Sequence, residues 1–142
     1  MRISARCDYT LGALLELAEH WPSREPLQVH NIARKQRIPL RYLVQILIRL
    51  KSLKLVESLR GKDGGYRLKK NPSTIYLGEV IREIEGPLLP VSDNESTLER
   101  RRLFGDLWKE VEAAIGGVID RISFEDLSNK ARRSSEVLTY NI

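Results

Sequence analysis

The spacing of apolar residues divides the chain into a run of amphipathic helices, interrupted once by a strand-like pair. Between Ala5 and Trp21, the residues Tyr9, Ala13, Leu14, Leu17, Ala18 and Trp21 recur every three or four positions, which places them on one face of a helix. Ser4 stands where an N-cap is expected, and Pro22 to Pro26 ends the pattern with turn-forming residues. Two shorter helices are predicted next. The first runs from about Val29 to Gln36 with Ile32 and Ala33 inward. Arg37-Ile38-Pro39 makes a tight joint, because the residue before a proline is pushed out of helical geometry, and Pro39 then opens the following helix. That helix has Leu43, Ile46, Leu47, Leu50 and Leu53 on one face, with Arg41, Gln45, Arg49 and Lys51 on the other. Two such helices fit a helix-turn-helix, whose second helix lies in the major groove of DNA. A helical hairpin used only for packing has the same pattern.

After Lys54 the period changes. Leu55 to Arg60 and Tyr66 to Leu68 read as short strands around the tip Gly61-Lys62-Asp63-Gly64-Gly65, which is a hairpin signal. Glycines at such a tip allow positive φ and a close backbone approach to another surface. Arg60, Lys62 and Arg67 put positive charge at or near it. An ordinary turn fits this pattern. A nucleotide P-loop does not, because the Gly-Lys-Ser/Thr ending is missing. A basic hairpin directly after a helix-turn-helix is a wing, which lies along the DNA backbone or puts an arginine into the minor groove.

Thr74-Ile75-Tyr76 reads as strand-like. A short helix follows, with Val80, Ile81 and Ile84 inward and Gly86-Pro87 as its stop. A loop from Pro87 to Thr97 leads into a long amphipathic helix from about Leu98 to Ile122. On it Phe104, Leu107, Trp108, Val111, Ile115, Val118, Ile119 and Ile122 keep a three-four spacing. Gly116-Gly117 weakens that helix by about 2 kcal/mol relative to two alanines. The stripe exceeds what a small winged-helix domain needs for its own core, so it reads as a dimerisation helix. The other reading is a helix folded back on its own domain. A short helix from Phe124 to Lys130 and a frayed tail complete the expectation.

Charge narrows the partner. The 142-residue chain carries a net +5, unevenly spread. Residues 1–70 hold 15 Lys/Arg against 6 Asp/Glu, residues 71–142 hold 9 against 13, and the stretch from Arg34 to Lys70 holds 12 against 2. A one-sided block of this kind is the footprint of a polyanion binder. A hydrophobic share of 42% and a charged share of 30% fit a globular chain. No run of about 18 apolar residues exists to span a membrane. Met1 to Tyr9 lacks the apolar core of a secretory signal, so a cytoplasmic protein is expected. Cys7 is the only cysteine, which excludes an intrachain disulfide and a cysteine metal cage. It reads as a half-buried small residue, with a redox-sensing thiol or an intersubunit bridge as the alternatives. The spacing of His20 and His30 suggests no metal site. No Ser/His/Asp or Cys/His set, supported acidic pair or nucleotide fingerprint points to an enzyme.

With these residues in place the chain resembles the Rrf2 family of winged-helix regulators, from Met1 to about Leu127. The most specific block is Tyr42-Leu43, Gln45-Ile46-Leu47, Leu50, Leu55-Val56, Ser58, Arg60-Gly61 and Gly64-Gly65-Tyr66. Ile75, Leu77 to Arg82 and Ile84 to Pro87 form a second block, and Trp108 with Ile122 to Leu127 a third. The resemblance implies a mainly α fold with a small β-hairpin wing. Residues 1–86 would form the winged helix-turn-helix domain. Residues 87–142 would supply a linker loop, the dimerisation helix and a tail. It implies a homodimer on a palindromic operator in double-stranded DNA, usually as a repressor, with Tyr42 and Gln45 on the recognition helix and Arg60 at the start of the wing. Taken with the basic face and the hairpin, the expected DNA contacts are Arg41, Tyr42, Gln45, Arg49, Arg60, Gly61, Lys62, Gly64, Gly65 and Tyr66. The apolar stripe of the long helix gives the expected dimerisation residues, Phe104, Leu107, Trp108, Val111, Ile115, Val118 and Ile119. A module of the same fold that has lost DNA affinity and binds proteins instead is the other reading.

The chain departs from the family's pattern at three places. Arg41 stands where members often have a small polar residue, so the preferred operator is expected to differ. Lys54 stands where a glycine is usual; a left-handed conformation there costs lysine about 1 kcal/mol. Iron–sulfur members carry three cysteines in the loop before the long helix, whereas here Leu88 to Thr97 has none. No cofactor is therefore expected, and thiolate ligation of a cluster at that loop is excluded. Asp8 matches a position where some members supply a carboxylate ligand; without thiolates it reads as a surface residue or a helix-start charge. The cysteine-free loop resembles the branch that senses through a regulatory protein or a small-molecule effector.

Overall fold

The computed structural model describes residues 1–89 and 97–140. Most of the loop expected between Pro87 and Thr97 lies outside the described residues. Among those described, six helices and one two-stranded antiparallel hairpin follow one another along the chain, and no helix is long and apolar enough to cross a membrane.

Helix α1 (Ala5–Glu19) begins where the Ser4 hydroxyl accepts a hydrogen bond from the Cys7 amide at 3.1 Å, satisfying one of the orphan donors of a first turn. Its apolar face buries Ala13, Leu14, Leu17 and Ala18. A 3-10 turn, Trp21–Ser23, ends it, and the Arg24 guanidinium lies 4.0 Å over the Trp21 ring. Helix α2 (Val29–Gln36) closes with Arg37 in the left-handed region at φ 52. Helix α3 (Leu40–Ser52) then starts at Pro39 and buries Leu43, Ile46, Leu47 and Leu50. Lys54 also takes a left-handed conformation, φ 62. This is the geometry that makes glycine the usual occupant of such a position, and it lets the Leu55 amide donate back to the Leu50 carbonyl at 3.0 Å.

Strands β1 (Val56–Leu59) and β2 (Gly65–Leu68) pair from Val56↔Leu68 to Leu59↔Gly65. The strand-like Thr74 to Tyr76 is instead a 3-10 turn, Pro72–Thr74, followed by a single bridge between Tyr76 and Ser123. Pro72 lacks an amide donor and Asn71 caps the turn through the Ser73 amide, so the segment bends before a ladder can form. Helix α4 (Leu77–Glu85) stops at Gly86, φ 80.

Helix α5 (Leu98–Ile119) is capped by Thr97 and runs unbroken through Gly116-Gly117. The expected weak point has a packing reason. A Cβ on Gly78 of α4 would collide with the Asp120 carboxylate, and one on Gly116 would press on it at 3.1 Å. That carboxylate takes both guanidinium nitrogens of Arg82, so small residues let α4 and α5 clasp. Helix α6 (Phe124–Tyr140) is much longer than the expected Phe124–Lys130, and the frayed tail is helical. Extending a helix already anchored by Phe124 costs far less than nucleating a new one.

The main core joins α1, α2, α3, the hairpin and α4, with Leu14, Ile32, Leu47, Val56, Val80 and the returning Phe124 all fully buried. A smaller cluster of Cys7, Ile81, Leu88 and Ile119 seats the C-terminal end of α5. Between α1 and α2 the carboxylate of Glu16, 2% exposed, is matched by Lys35 Nζ at 2.9 Å and by the Gln36 amide at 2.9 Å. A buried carboxylate needs such partners to be tolerated.

Candidate nucleic-acid interface

Burying one face of α3 forces the opposite face outward. Leu43, Ile46, Leu47 and Leu50 fix the rotation of the helix. Arg41, Tyr42, Gln45 and Arg49 consequently point to solvent. Arg41 and Gln45 make no ion pair or side-chain hydrogen bond among the described residues, so their donors are open to an incoming ligand. Tyr42 leans towards Tyr9 of α1, ring centroids 6.2 Å apart. Arg49 is not open in the same way: it pairs with Glu83 of α4 at 3.6 Å. Such a surface pair is worth about 0–1 kcal/mol, little enough for a phosphate to replace it. The same face carries Leu40, Val44 and Ile48, each more than a third exposed. The three-four spacing that turns Leu43, Ile46, Leu47 and Leu50 inward also turns these three outward, so their exposure was legible in the sequence although no role was given to them. Apolar groups at such positions suit contact with a thymine methyl.

The hairpin is tied to this helix and to the body. Lys51 Nζ donates to the Ser58 hydroxyl at 2.8 Å, joining the end of α3 to β1. Tyr66 exchanges both backbone hydrogen bonds with Leu27, at 2.7 and 2.8 Å, so the segment before α2 acts as a one-residue third strand. Gly65, at φ 149, makes that pairing possible, since a Cβ there would run into the Leu27 carbonyl. A Cβ on Gly64 would likewise meet the Leu59 carbonyl. Gly64, Gly65 and Tyr66 thus shape and anchor the hairpin. Gly61 alone sits at φ 110 with open space around it.

The cations of the basic block divide by partner. Arg67 is held by Glu57 at 2.7 Å and by the Arg24 carbonyl at 2.9 Å, and its guanidinium pulls the Glu57 carboxyl below the usual range. Lys35 is committed to Glu16, which raises its pKa. Arg60 and Lys62, at the tip, are exposed and make no ion pair among the described residues.

On α5 the apolar stripe is used unevenly. Ile119 is buried in its own subunit, and Val111 and Ile115 are half-buried. Phe104, Leu107, Trp108 and Val118 are 42–53% exposed. The Phe104 and Trp108 rings lie 6.4 Å apart at 26°, a preformed and partly exposed aromatic face.

A helix-turn-helix followed by an anchored basic hairpin defines the winged-helix class of transcriptional regulators. Residues 3–130 match the Rrf2 family, described as an iron-dependent transcriptional regulator, and the chain belongs to that family. It is 32% identical to the HTH-type transcriptional regulator CymR of Bacillus subtilis, over the whole of both chains. It is 35% identical to the regulator IscR of Photorhabdus laumondii, over 91% of this chain and 80% of that one. Among solved structures it is similar to CymR, the global cysteine regulator of B. subtilis, with a TM-score of 0.79, 33% identity and coverage of 92% and 98% of the two chains. It is also similar to IscR of T. potens, with a TM-score of 0.76, 28% identity and coverage of 94% and 90%. The winged-helix expectation and the exclusion of an enzyme both stand with this family.

The iron in the family's description finds no matching donors here. Cys7, the only cysteine, is fully buried rather than half-buried. Burial and the neighbouring Glu85 and Asp8 carboxylates push its thiol up to about 11, whereas a cluster needs thiolates. Among the described residues no group of three or more His, Cys, Asp or Glu is placed to hold a metal ion. The residues present do not fit a thiolate-held cluster.

Proposed function

We propose that this regulator binds a palindromic operator in double-stranded DNA as a homodimer, acts as a repressor, and does so without an iron–sulfur cluster. The observation that carries the reading is the pairing of the outward face of α3, where Arg41 and Gln45 are open, with the open cations Arg60 and Lys62 at the tip of a hairpin bonded to the same helix. Gln45 suits an adenine edge, Arg41 a guanine edge or a phosphate, and Arg60 the minor groove. The partly exposed aromatic end of α5 supports the homodimer, since a two-fold pair of such faces covers both at once. A dimer in turn presents two recognition helices to half-sites about one helical turn, or a multiple of it, apart.

Selection of bound fragments from a random DNA library tests this. A palindrome with that half-site spacing is expected, and affinity for it should fall steeply with salt. Arg60→Ala should then cost about 1–3 kcal/mol in binding. Failure to enrich any sequence, or an Arg60→Ala protein that binds as the wild type does, would overturn the reading.

A further inference from the structure

A cleft of about 690 Å³ opens between α1, the α2–α3 joint and α6, a size typical of small-molecule sites. Its lining sorts by depth. The buried and half-buried positions are largely apolar: Leu11 and Leu15 from α1, Ile38 from the joint, Phe124 and Leu127 from α6. The exposed positions are polar or charged, with Arg37 and Lys130 against a single acid, Asp8. None of these three makes an ion pair among the described residues. The rim therefore has an excess positive charge above an apolar floor, which is complementary to an anion carried on a hydrocarbon body.

The position of the cleft gives it leverage. Arg37 and Ile38 form the joint between the two helices of the helix-turn-helix, and Ile38 is two residues before the first residue of α3. Arg37 holds that joint in a left-handed conformation that few residues other than glycine adopt readily. A ligand that touches both residues bears on the angle at which α3 leaves the joint. We propose that the cleft is an effector site for a small organic carboxylate with an apolar body, and that its occupancy sets the pose of the recognition helix. The regulatory half of this rests on α3 being the DNA-contacting helix. By linkage, a ligand that prefers one pose changes DNA affinity by the same factor as DNA changes ligand affinity.

Calorimetric titration of the full chain, without DNA, tests the site directly. The probes are octanoate, leucine and the uncharged octanamide. Saturable binding of a carboxylate below about 1 mM is expected, with octanamide at least about tenfold weaker. Arg37→Gln combined with Lys130→Gln should weaken the carboxylate about tenfold or more. Ala131→Phe, which fills the cleft from α6, should abolish binding. Leucine binding more tightly than octanoate, with loss in Asp8→Asn, assigns a zwitterionic amino acid. Octanoate binding more tightly, indifferent to Asp8→Asn, assigns a simple acid. Binding of neither carboxylate, or unchanged binding in the Arg37/Lys130 double variant, overturns the site. The selected operator then reads the coupling, with an expected shift in its Kd of about fivefold or more on saturation. Ligand binding with no such shift overturns the regulatory half and leaves DNA binding intact. Ligand binding by a protein that enriches no DNA overturns the DNA reading and keeps the cleft as a ligand site.

Discussion

Helices α3 and α5 are both amphipathic, and they dispose of their apolar faces in opposite ways. In α3, four large side chains per thirteen residues are buried in the chain's own core, so the polar face is held at a fixed rotation. In α5 the C-terminal end is seated on Ile81 and Leu88 through Ile119, while Phe104, Leu107 and Trp108 towards its start are 42–45% exposed. An apolar face satisfied within the chain aims the charges on its other side; one left partly exposed is free to meet a partner. The same periodicity therefore carries two different messages.

The sharpest way to break this contrast is to truncate one residue from each helix. Leu47→Ala removes a fully buried side chain and should cost about 2–5 kcal/mol of folding stability by denaturant unfolding. Trp108→Ala should leave unfolding of the monomer nearly unchanged but weaken the proposed dimer by about 2 kcal/mol, read by sedimentation equilibrium. Equal losses of monomer stability would mean that α5 is folded back on its own domain. At the end of α3, Lys54→Gly should raise stability by up to about 1 kcal/mol, because glycine removes the left-handed strain without touching the core; thermal unfolding reads it.

The smallest effect is expected in the hairpin. Glu57 has a lowered pKa in the fold, owing first to its hydrogen bond from Arg67. A carboxyl whose folded pKa is depressed contributes stability that is present above its unfolded value and lost as pH falls through the folded one. The hairpin should thus loosen only on acidification below the ordinary carboxylate range. An NMR titration of Glu57 with a midpoint at or above that range would remove the pair from the account.

Much of this was legible in the sequence, for local reasons. Val29 to Gln36, the inward leucines of α3, the Ser4 cap and the hairpin around Gly61 all follow from periodicity, capping and turn chemistry that act over a few residues. The strained site at Lys54 was readable from the absence of an expected glycine. The length of α6 was not, because Arg132 to Glu136 holds no apolar residue to continue a three-four stripe; its first turns persist through packing on α1, and Val137 and Leu138 remain exposed. The basic block was legible as a block but not as individuals. Counting cations said nothing of Arg49 finding Glu83, or of Arg67 finding Glu57 and the Arg24 carbonyl.

What the sequence determined by itself is the order of elements, the faces they bury and the sign of the charge that remains, since each depends on neighbours within a turn or two. Only the tertiary structure decided which cations stay open, which glycines serve packing and which half of the α5 stripe is left partly exposed. Those outcomes depend on groups brought together from distant parts of the chain, such as Leu27 against Gly65 or Asp120 against Gly78, and an interaction that needs both partners in place is not written in either one alone.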